Sequence, residues 1–443
     1  MSSEQLADGV NPLDAELAAT WDILKGYSGT NTDLGIARRF GGAAAAYSLR
    51  DIGAMNGRVV RVRRKNDSTE EDFSANQVQA GVLEDFCDNV LTVGTAVNGT
   101  GAFNNYTLTN VSNSGFSADN SGGGTGSAGF PYTFKNGDVM IVTYTVTNFS
   151  STSGLSPQIR GVTATSNVTS VAFGGTTFTS NGTYTDTLTA TNDGTHLMFA
   201  DGNTGSYTIS NFAVTSHKTD GFVAKLYDQS GNGDDMSQTD TGKQPLIVDA
   251  GVQVKLENGK PAFKGDGIDD HLEASYFYSA GEVTAMSTFS VVSNRTDTGQ
   301  EEAIISAGYG LSTTYPGFSI QLDRNTNSNP FEMRTANASG ENETSILEIA
   351  KDGDILGSTF FTKDSTQLVR ATTEDGSFNT IEATSVGAYH PSATSGKLRI
   401  GAIRSFAVRQ FFGFFISEAI VFKGLDLRDE GIEDEINQFY NIG

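Results

Sequence analysis

Cysteine, histidine and basic residues are scarce in this 443-residue chain. A single cysteine, Cys87, excludes an intrachain disulfide and with it a disulfide-stapled secreted domain. The four histidines are scattered, and none is spaced from another histidine or from the cysteine as zinc ligands are, so a zinc site is not expected. With 29 Lys and Arg against 52 Asp and Glu, the net charge of -23 argues against nucleic acid and anionic membranes as partners.

Long apolar runs are also missing. The longest apolar stretch, FAVRQFFGFFISEAIVF, is interrupted by Arg409, Gln410 and Glu418. Because a membrane-spanning helix needs about 20 apolar residues, we expect no membrane insertion. The N-terminal sequence MSSEQLADGVNPLDAEL has neither the basic region nor the apolar region of a signal peptide, so we expect no secretion signal.

The chain is instead rich in small and polar residues, with 51 glycines and many Ser, Thr and Asn. Runs such as DVMIVTYTVTNFS and GTYTDTLTAT alternate apolar and polar residues and are separated by Asn-Gly, Gly-Gly and Asp-Gly pairs. Such pairs supply the backbone angles of tight turns. The sequence therefore predicts an all-β protein built of antiparallel sandwiches, with short helices near its two ends.

Composition divides the chain into three parts. Residues 1–45 precede the β pattern and read as an attachment segment. Residues 91–220 are poor in charge and rich in Thr, Ser, Asn and Gly, which predicts a separate jelly-roll sandwich. This jelly roll interrupts a larger β domain formed by residues 46–90 and 221–443.

Three segments have helical patterns. In the first, Leu13, Leu17, Trp21 and Leu24 share one face of an amphipathic helix. That face either packs on its own domain or docks on a partner or a neighbouring copy, and we take Leu17, Trp21 and Leu24 as the candidate attachment residues. Residues 74–90 predict a second helix capped by Ser74, and residues 426–440 predict a closing helix.

Five motifs occur in an order that carries a family resemblance: AYSLR (46–50), VRVRRKND (60–67), GFVAKLYDQSGNGDD (221–235), QPLIV (244–248) and NGKPAFKGDGIDDHLE (258–273). Together they resemble the catalytic-domain scaffold of α-L-arabinofuranosidase B-type glycoside hydrolases. The resemblance implies a concanavalin A-like β-sandwich, a scaffold also common in bacteriophage virion proteins. The inserted part is similar to the carbohydrate-binding jelly-roll modules often found in phage fibres.

The resemblance also implies two catalytic carboxylates, of which only one has a candidate. Glu301 in GQEEAIISAG stands near the position of the nucleophile. At the acid/base position the chain has Ile403 and Arg404, and no carboxylate occurs between Lys397 and Ile416. The cysteine pair of the family's sugar pocket is absent as well. Since a lone carboxylate cannot both attack and protonate the leaving group, we expect Glu301 to be vestigial.

The motif YDQSGNG admits two interpretations. Asp and Asn bond to nearby backbone in turns, and Gly accepts positive φ, so the motif predicts a strand that ends in a tight turn. Alternatively, Asp228, Gln229 and Asn232 contact a sugar or a cation.

A second acidic motif, KGDGIDDHLE, contains Asp266, Asp269 and Asp270, which could hold Ca²⁺ through oxygen ligands, although their spacing is not that of a complete calcium loop. No other cofactor is expected.

The aromatic residues also admit two interpretations, because an exposed ring can stack on a sugar. Tyr106, Tyr132 and Tyr144 of the inserted part are either core residues or sugar platforms.

The leading hypothesis is a bacteriophage virion structural protein, such as a head fibre, a capsid decoration or a tail appendage. It would assemble with other virion proteins as a homo-oligomer, possibly a trimer, and would adhere to a host surface glycan without hydrolysing it. One alternative is an active arabinofuranosidase-like hydrolase acting on host polysaccharide. Another is a purely structural cement protein that has no ligand.

Overall fold

The structure is a computed structural model that describes residues 35–39, 42–53, 57–166, 171–274, 285–294, 301–307, 317–323, 331–336, 342–347, 353–362, 366–372, 377–384, 397–404, 408–409 and 411–442. Strands dominate these residues, and every pairing between them is antiparallel. The all-β prediction is confirmed. In the described ranges no helix has the length and apolar character needed to cross a membrane.

The chain alternates between many short strands and a few short helices. Three strands come first: β1 (Ala45–Ser48), β2 (Arg58–Arg64) and β3 (Glu70–Ser74). The helices are α1 (Ala75–Gln79), α2 (Val82–Cys87) and α3 (Ile432–Tyr440), with 3₁₀ turns at Ile36–Arg38 and Gly101–Phe103. The inserted part (residues 91–220) contains β4 (Val97–Asn98), β5 (Thr107–Thr109), β6 (Phe116–Asn120), β7 (Gly126–Phe134), β8 (Val139–Ser151), β9 (Gln158–Val162), β10 (Val171–Thr177), β11 (Gly182–Thr189), β12 (Gly194–Asp201) and β13 (Gly205–Lys218).

The remaining strands return to the main part (residues 46–90 and 221–443). They are β14 (Gly221–Leu226), β15 (Met236–Ser237), β16 (Leu246–Asp249), β17 (Val252–Gln253), β18 (Phe263–Lys264), β19 (Leu272–Ala274), β20 (Ala285–Asn294), β21 (Glu301–Ala307), β22 (Gly317–Asp323), β23 (Phe331–Ala336), β24 (Asn342–Leu347), β25 (Gly353–Thr362), β26 (Thr366–Thr372), β27 (Phe378–Thr384), β28 (Leu398–Ile400), β29 (Ile403–Arg404), β30 (Val408–Arg409) and β31 (Phe415–Lys423).

The main part is a sandwich of two sheets. The first sheet has the order β27–β26–β25–β20–β31–β1. The second has the order β3–β2–β14–β15–β19–β28–β21–β22–β23–β24. Strands β16 and β18 connect β14 to β31. Both sheets contribute to one buried core, for example Phe361 and Val421 from the first and Val62, Val223 and Phe318 from the second.

Helix α3 covers the other face of the first sheet. Its Ile432, Ile436 and Tyr440 are buried against residues such as Phe289 and Phe360. Burial of each such side chain contributes roughly 1.5–3 kcal/mol. With α3 on the first sheet and the core between the sheets, the outer face of the second sheet is left to carry polar groups.

Two of the predicted helices begin or end elsewhere than expected. The closing helix was predicted from residue 426 and begins at Ile432, after Gly431 in the left-handed conformation (φ 70°). The predicted single helix over residues 74–90 is wrong, because Gly81 (φ 78°) separates α1 from α2. The predicted N-cap is confirmed, since Ser74 and Gln77 form a capping box. The predicted helix of Leu17, Trp21 and Leu24 lies outside the described residues.

The inserted part is a second sandwich. Its sheets have the orders β10–β9–β12–β7–β4 and β11–β8–β13–β6–β5, and they share an aromatic-rich core. Tyr106, Tyr132 and Tyr144 lie in this core with at most 4% of their surface exposed. A buried ring cannot stack on a sugar, so these tyrosines are core residues and not platforms.

Candidate functional site

The motif YDQSGNG begins where β14 ends. The Asp228 carboxylate accepts hydrogen bonds from the backbone N–H groups of Ala46 (3.0 Å), Ser230 (3.0 Å) and Asp234 (3.2 Å), and from the Ser230 hydroxyl (2.6 Å). Its oxygens are therefore engaged within the chain. This arrangement is that of an Asp that closes a turn on itself and fastens it to β1.

Gln229 and Asn232 are used in the same way. Gln229 is fully buried, accepts a bond from the N–H of Ile52 and donates to two carbonyls of residues 48–50. Asn232 donates to two carbonyls of residues 43–44. All these contacts favour the interpretation of a strand that ends in a tight turn. Ligand binding by Asp228, Gln229 and Asn232 stays a prediction without a contact in its favour.

An open groove of about 760 Å³ lies beside this turn, on the outer face of the second sheet. We call it the main groove. Its walls and floor come from the turn after β14, from β15 and β19, and from the segments beside β28. The lining residues are Lys225, Gly233, Asp235, Ser237, Gln238, Thr239, Lys243, Asp269, His271, Glu273, Ala274, Lys397 and Phe411.

Strand register builds the floor of the main groove. Lys225 is directly opposite Ser237, Ser237 is opposite Glu273, and Glu273 is opposite Arg399. Directly opposite residues of antiparallel strands share a face, so this polar row crosses β14, β15, β19 and β28 on one side of the sheet. Residues far apart in the sequence thereby form one surface.

Ion pairs hold the charged groups of the main groove in place. Glu273 bonds to Lys397 and to the buried Arg399 (Nη2 to Oε2, 3.1 Å). Burial alone would raise the pKa of Glu273, but the bond to Lys397 and the charge of Arg399 lower it below its usual value, so Glu273 is ionised at neutral pH. Lys225 pairs with Asp235 at 3.3 Å. The groove therefore presents both fixed cations and fixed carboxylates.

His271 and Phe411 form the less polar end of the main groove. Their rings lie 5.7 Å apart between centroids. His271 Nδ1 is 2.9 Å from the carbonyl oxygen of Asp269, and because a carbonyl only accepts, Nδ1 carries the proton. Nε2 lies 3.3 Å from the amide nitrogen of Gln238. The groove thus offers an aromatic ring beside amide and imidazole groups.

The acidic cluster of Asp266, Asp269 and Asp270 adjoins the main groove through Asp269. One oxygen from each carboxylate lies within 4.8 Å of the others. Burial and the charge of Asp266 raise the pKa of Asp270 to about 7. Three clustered carboxylates are hard oxygen donors of the kind Ca²⁺ prefers, although backbone N–H groups of residues 268–270 already bond to Asp266.

We expect the substitution Asp270→Asn to raise the free energy of unfolding by about 2 kcal/mol near pH 8, and by much less near pH 4. The folded pKa of Asp270 lies above the ordinary value of 3.8, so the folded protein holds a proton that the unfolded chain releases. Stability is therefore lost as pH rises from about 4 to about 7 in the wild type and not in the variant. Because the neighbouring Asp266 is exposed to solvent, screening reduces the effect below the full shift.

Urea unfolding at the two pH values, with a chelator present, measures this difference. A variant as stable as the wild type at both values would contradict the prediction. The same titration with Ca²⁺ in place of the chelator tests the metal site. Ca²⁺ bound to the folded state should stabilise the wild type but not Asp270→Asn.

Register gives Glu301 a carboxylate neighbour. Glu301 begins β21 and is paired directly with Asp323 of β22. The predicted acid/base region holds no carboxylate, and Gly401 there has a φ of 81°. The side chains of Glu301 and Asp323 lie outside what the structure describes.

Comparisons with known proteins locate the fold only. No family model and no curated protein matches the chain. A carbohydrate-binding module of a Ruminococcus gnavus sialidase, bound to α2,3-sialyllactose, aligns with 35% of this chain and 83% of its own at 16% identity and a TM-score of 0.29. A GH54 α-L-arabinofuranosidase soaked with a cyclic sulfate inhibitor aligns with 52% of this chain and 56% of its own at 13% identity and a TM-score of 0.32. Such values reflect β-sandwich architecture and say nothing about a ligand.

The main groove was not predicted from the sequence. Of its lining residues, Lys225 lies inside one of the five motifs, whereas Lys243, Lys397 and Phe411 lie outside them. Glu273 closes the motif NGKPAFKGDGIDDHLE, in which the predicted metal ligands are the aspartates alone. One sequence signal could have indicated the groove. Lys225 and Glu273 each stand between two apolar residues, and this alternation assigns both to the outer face of a sheet.

Proposed function

We propose that the protein binds carbohydrate in the main groove. The observation that carries this proposal is the pair of ion-paired lysines that line the groove beside Phe411: Lys225 with Asp235, and Lys397 with Glu273. Sugar hydroxyls both donate and accept hydrogen bonds, and ammonium and carboxylate groups supply the complementary partners in a fixed geometry. A volume of about 760 Å³ is within the range of small-ligand sites and accommodates several sugar units.

Binding to a panel of immobilised glycans tests the proposal. The best-bound glycan should lose at least about tenfold in affinity, or about 1.4 kcal/mol, in Lys225→Met and in Phe411→Ala. Lys135→Met is the matched control, because Lys135 also pairs with an aspartate (Asp193, 3.0 Å) but lies in the inserted part. If all three variants bind as tightly as the wild type, or if the wild type binds no glycan, the result would contradict the proposal and favour a cement protein.

The proposal extends to adhesion within a bacteriophage virion. Its support is the sequence resemblance of residues 46–90 and 221–440 to the phage-associated form of the scaffold, together with a jelly roll inserted in it. In this arrangement the virion displays the chain in several copies, and the weak binding of each copy is multiplied by avidity. Detection of the chain in purified virions, and blocking of adsorption by the isolated protein, would test this assignment.

A second candidate function is glycoside hydrolysis, and the pairing of Glu301 with Asp323 favours it. A retaining glycosidase needs two neighbouring carboxyl groups, and Glu301 and Asp323 are directly opposite each other in the register of β21 and β22. Release of reducing ends from a bound glycan, lost in both Glu301→Gln and Asp323→Asn, would establish this function. An intact glycan after prolonged incubation supports adhesion alone.

A further inference from the structure

A second groove lies on the inserted part, on the outer face of the sheet β11–β8–β13–β6–β5. It has a volume of about 280 Å³ and belongs to a different sandwich from the main groove. Most of the side chains around it carry hydroxyl, amide or carboxylate groups. The lining residues are Thr107, Thr109, Ser117, Ala118, Asp119, Asn148, Ser206, Tyr207 and Thr208.

A β-bulge shapes this groove. Ser206 of β13 pairs with Ser150 of β8, whereas Thr208 pairs with Thr147, so Asn148 and Phe149 both stand opposite Tyr207. Asn148 takes the left-handed conformation, with a φ of 51°. Outside turns, Asn adopts this conformation at a cost, and bulges redirect side chains. Here the bulge brings the Asn148 amide to Thr208, with 3.4 Å between Nδ2 and Oγ1.

Register places a row of hydroxyl groups beside that amide. Thr109 is directly opposite Ser117, which is directly opposite Thr208. The Ser117 and Thr208 hydroxyls lie 3.1 Å apart and bond to each other. Each hydroxyl has one proton and two lone pairs, so the row keeps hydrogen-bonding capacity for a ligand. The amide of Asn148 adds a carbonyl oxygen and a second N–H.

The charge of the groove decides the class of ligand. Among the described residues that line it, none is Lys, Arg or His, and Asp119, which the register places between Thr107 and Ser206, is an exposed carboxylate. An anionic sugar would be repelled by Asp119 and would find no cation. A neutral sugar finds in Asp119 and Asn148 two planar groups that can bond to adjacent hydroxyls.

We propose that this groove is a second carbohydrate site, selective for a neutral mono- or disaccharide. Its volume is just below the roughly 300–1,000 Å³ of ordinary ligand pockets, which limits the ligand to one or two rings. Among the described residues that line it no aromatic ring is exposed, so binding depends on hydrogen bonds that contribute little each, and the affinity of one site is weak. The proposal does not rest on carbohydrate binding in the main groove.

Saturation-transfer NMR on the full chain tests it, with galactose, glucose, mannose and N-acetylglucosamine as probes and glucuronic acid as the charged control. At least one neutral sugar should receive saturation and glucuronic acid should not. Thr208→Val and Asn148→Ala should each weaken binding about fivefold to tenfold, as expected for one or two lost hydrogen bonds. Thr187→Val is the matched control, since Thr187 is an exposed threonine of the same sheet outside the groove.

A Lys225→Met variant distinguishes sugar binding in this groove from sugar binding in the main groove. Neutral-sugar binding that survives Lys225→Met but is lost in Thr208→Val assigns the ligand to the inserted part. Binding lost in Lys225→Met and kept in Thr208→Val would overturn this proposal while supporting the main groove. A wild type that transfers saturation to none of the four neutral sugars would also overturn it.

Discussion

Glu418→Ala should lower the free energy of unfolding by about 3–5 kcal/mol. Glu418 of β31 is buried beneath helix α3 and forms two bonds with the Arg50 guanidinium (Nε to Oε2, 2.7 Å; Nη2 to Oε1, 2.9 Å). Ser48 also donates to it at 2.7 Å. Arg50 is itself buried and stacks on Phe439 at 4.9 Å. Removal of the carboxylate leaves a buried cation without a counter-charge, which is the source of the loss.

A double variant distinguishes this cause from lost packing. Arg50→Met combined with Glu418→Leu removes both charges while filling much of the same volume, so it should be far closer to the wild type than Glu418→Ala. Lys243→Ala is the control, because its pair with Asp240 is exposed and should contribute less than about 1 kcal/mol. Midpoints of urea unfolding measure all three. A double variant as unstable as Glu418→Ala would refute the electrostatic explanation.

The turn after β14 shows what a short motif can predict. Asp228, Asn232 and the glycines around them have local backbone preferences, and those preferences predicted the tight turn. The sequence could not show that the same side chains bond to residues 43–52, because that contact depends on how β1 and β14 are brought together. For the same reason the sequence left open whether Asp228 closes a turn or contacts a sugar or a cation.

The main groove shows where prediction from sequence stops. Lys225, Ser237 and Glu273 become one surface only through the register of three strands, with the buried Arg399 opposite Glu273 on a fourth. A shift by one residue in any pairing would turn a member of the row toward the core. Register is set by burial of the opposite face, which a single sequence does not reveal strand by strand. The helix break at Gly81 could not be predicted either, because glycine permits a left-handed φ but does not require one.

A buried polar network lies where the chain passes between the main part and the inserted part. The Asp138 carboxylate accepts bonds from Thr219 Oγ1 (2.6 Å), His217 Nε2 (2.8 Å) and the N–H of Lys135 (2.7 Å). His217 Nδ1 lies 2.8 Å from the Tyr132 hydroxyl. Asp138, His217 and Thr219 have no exposed surface. Every member of the network therefore depends on another for its hydrogen bonds.

Asp138→Ala should consequently lower the free energy of unfolding by about 3–5 kcal/mol, because it leaves two buried donors and the partly buried N–H of Lys135 without an acceptor, and each buried donor costs about 1–3 kcal/mol. Because the network joins β7 and β13 to the residue that directly precedes β8, the loss should fall first on the inserted part. Hydrogen exchange should accelerate in β7, β8 and β13 while β20 and β25 keep their protection. Lys135→Ala, which removes only an exposed ion pair three residues away, should leave both regions unchanged. Uniform acceleration across both sandwiches would instead mean that the two parts unfold as one cooperative unit.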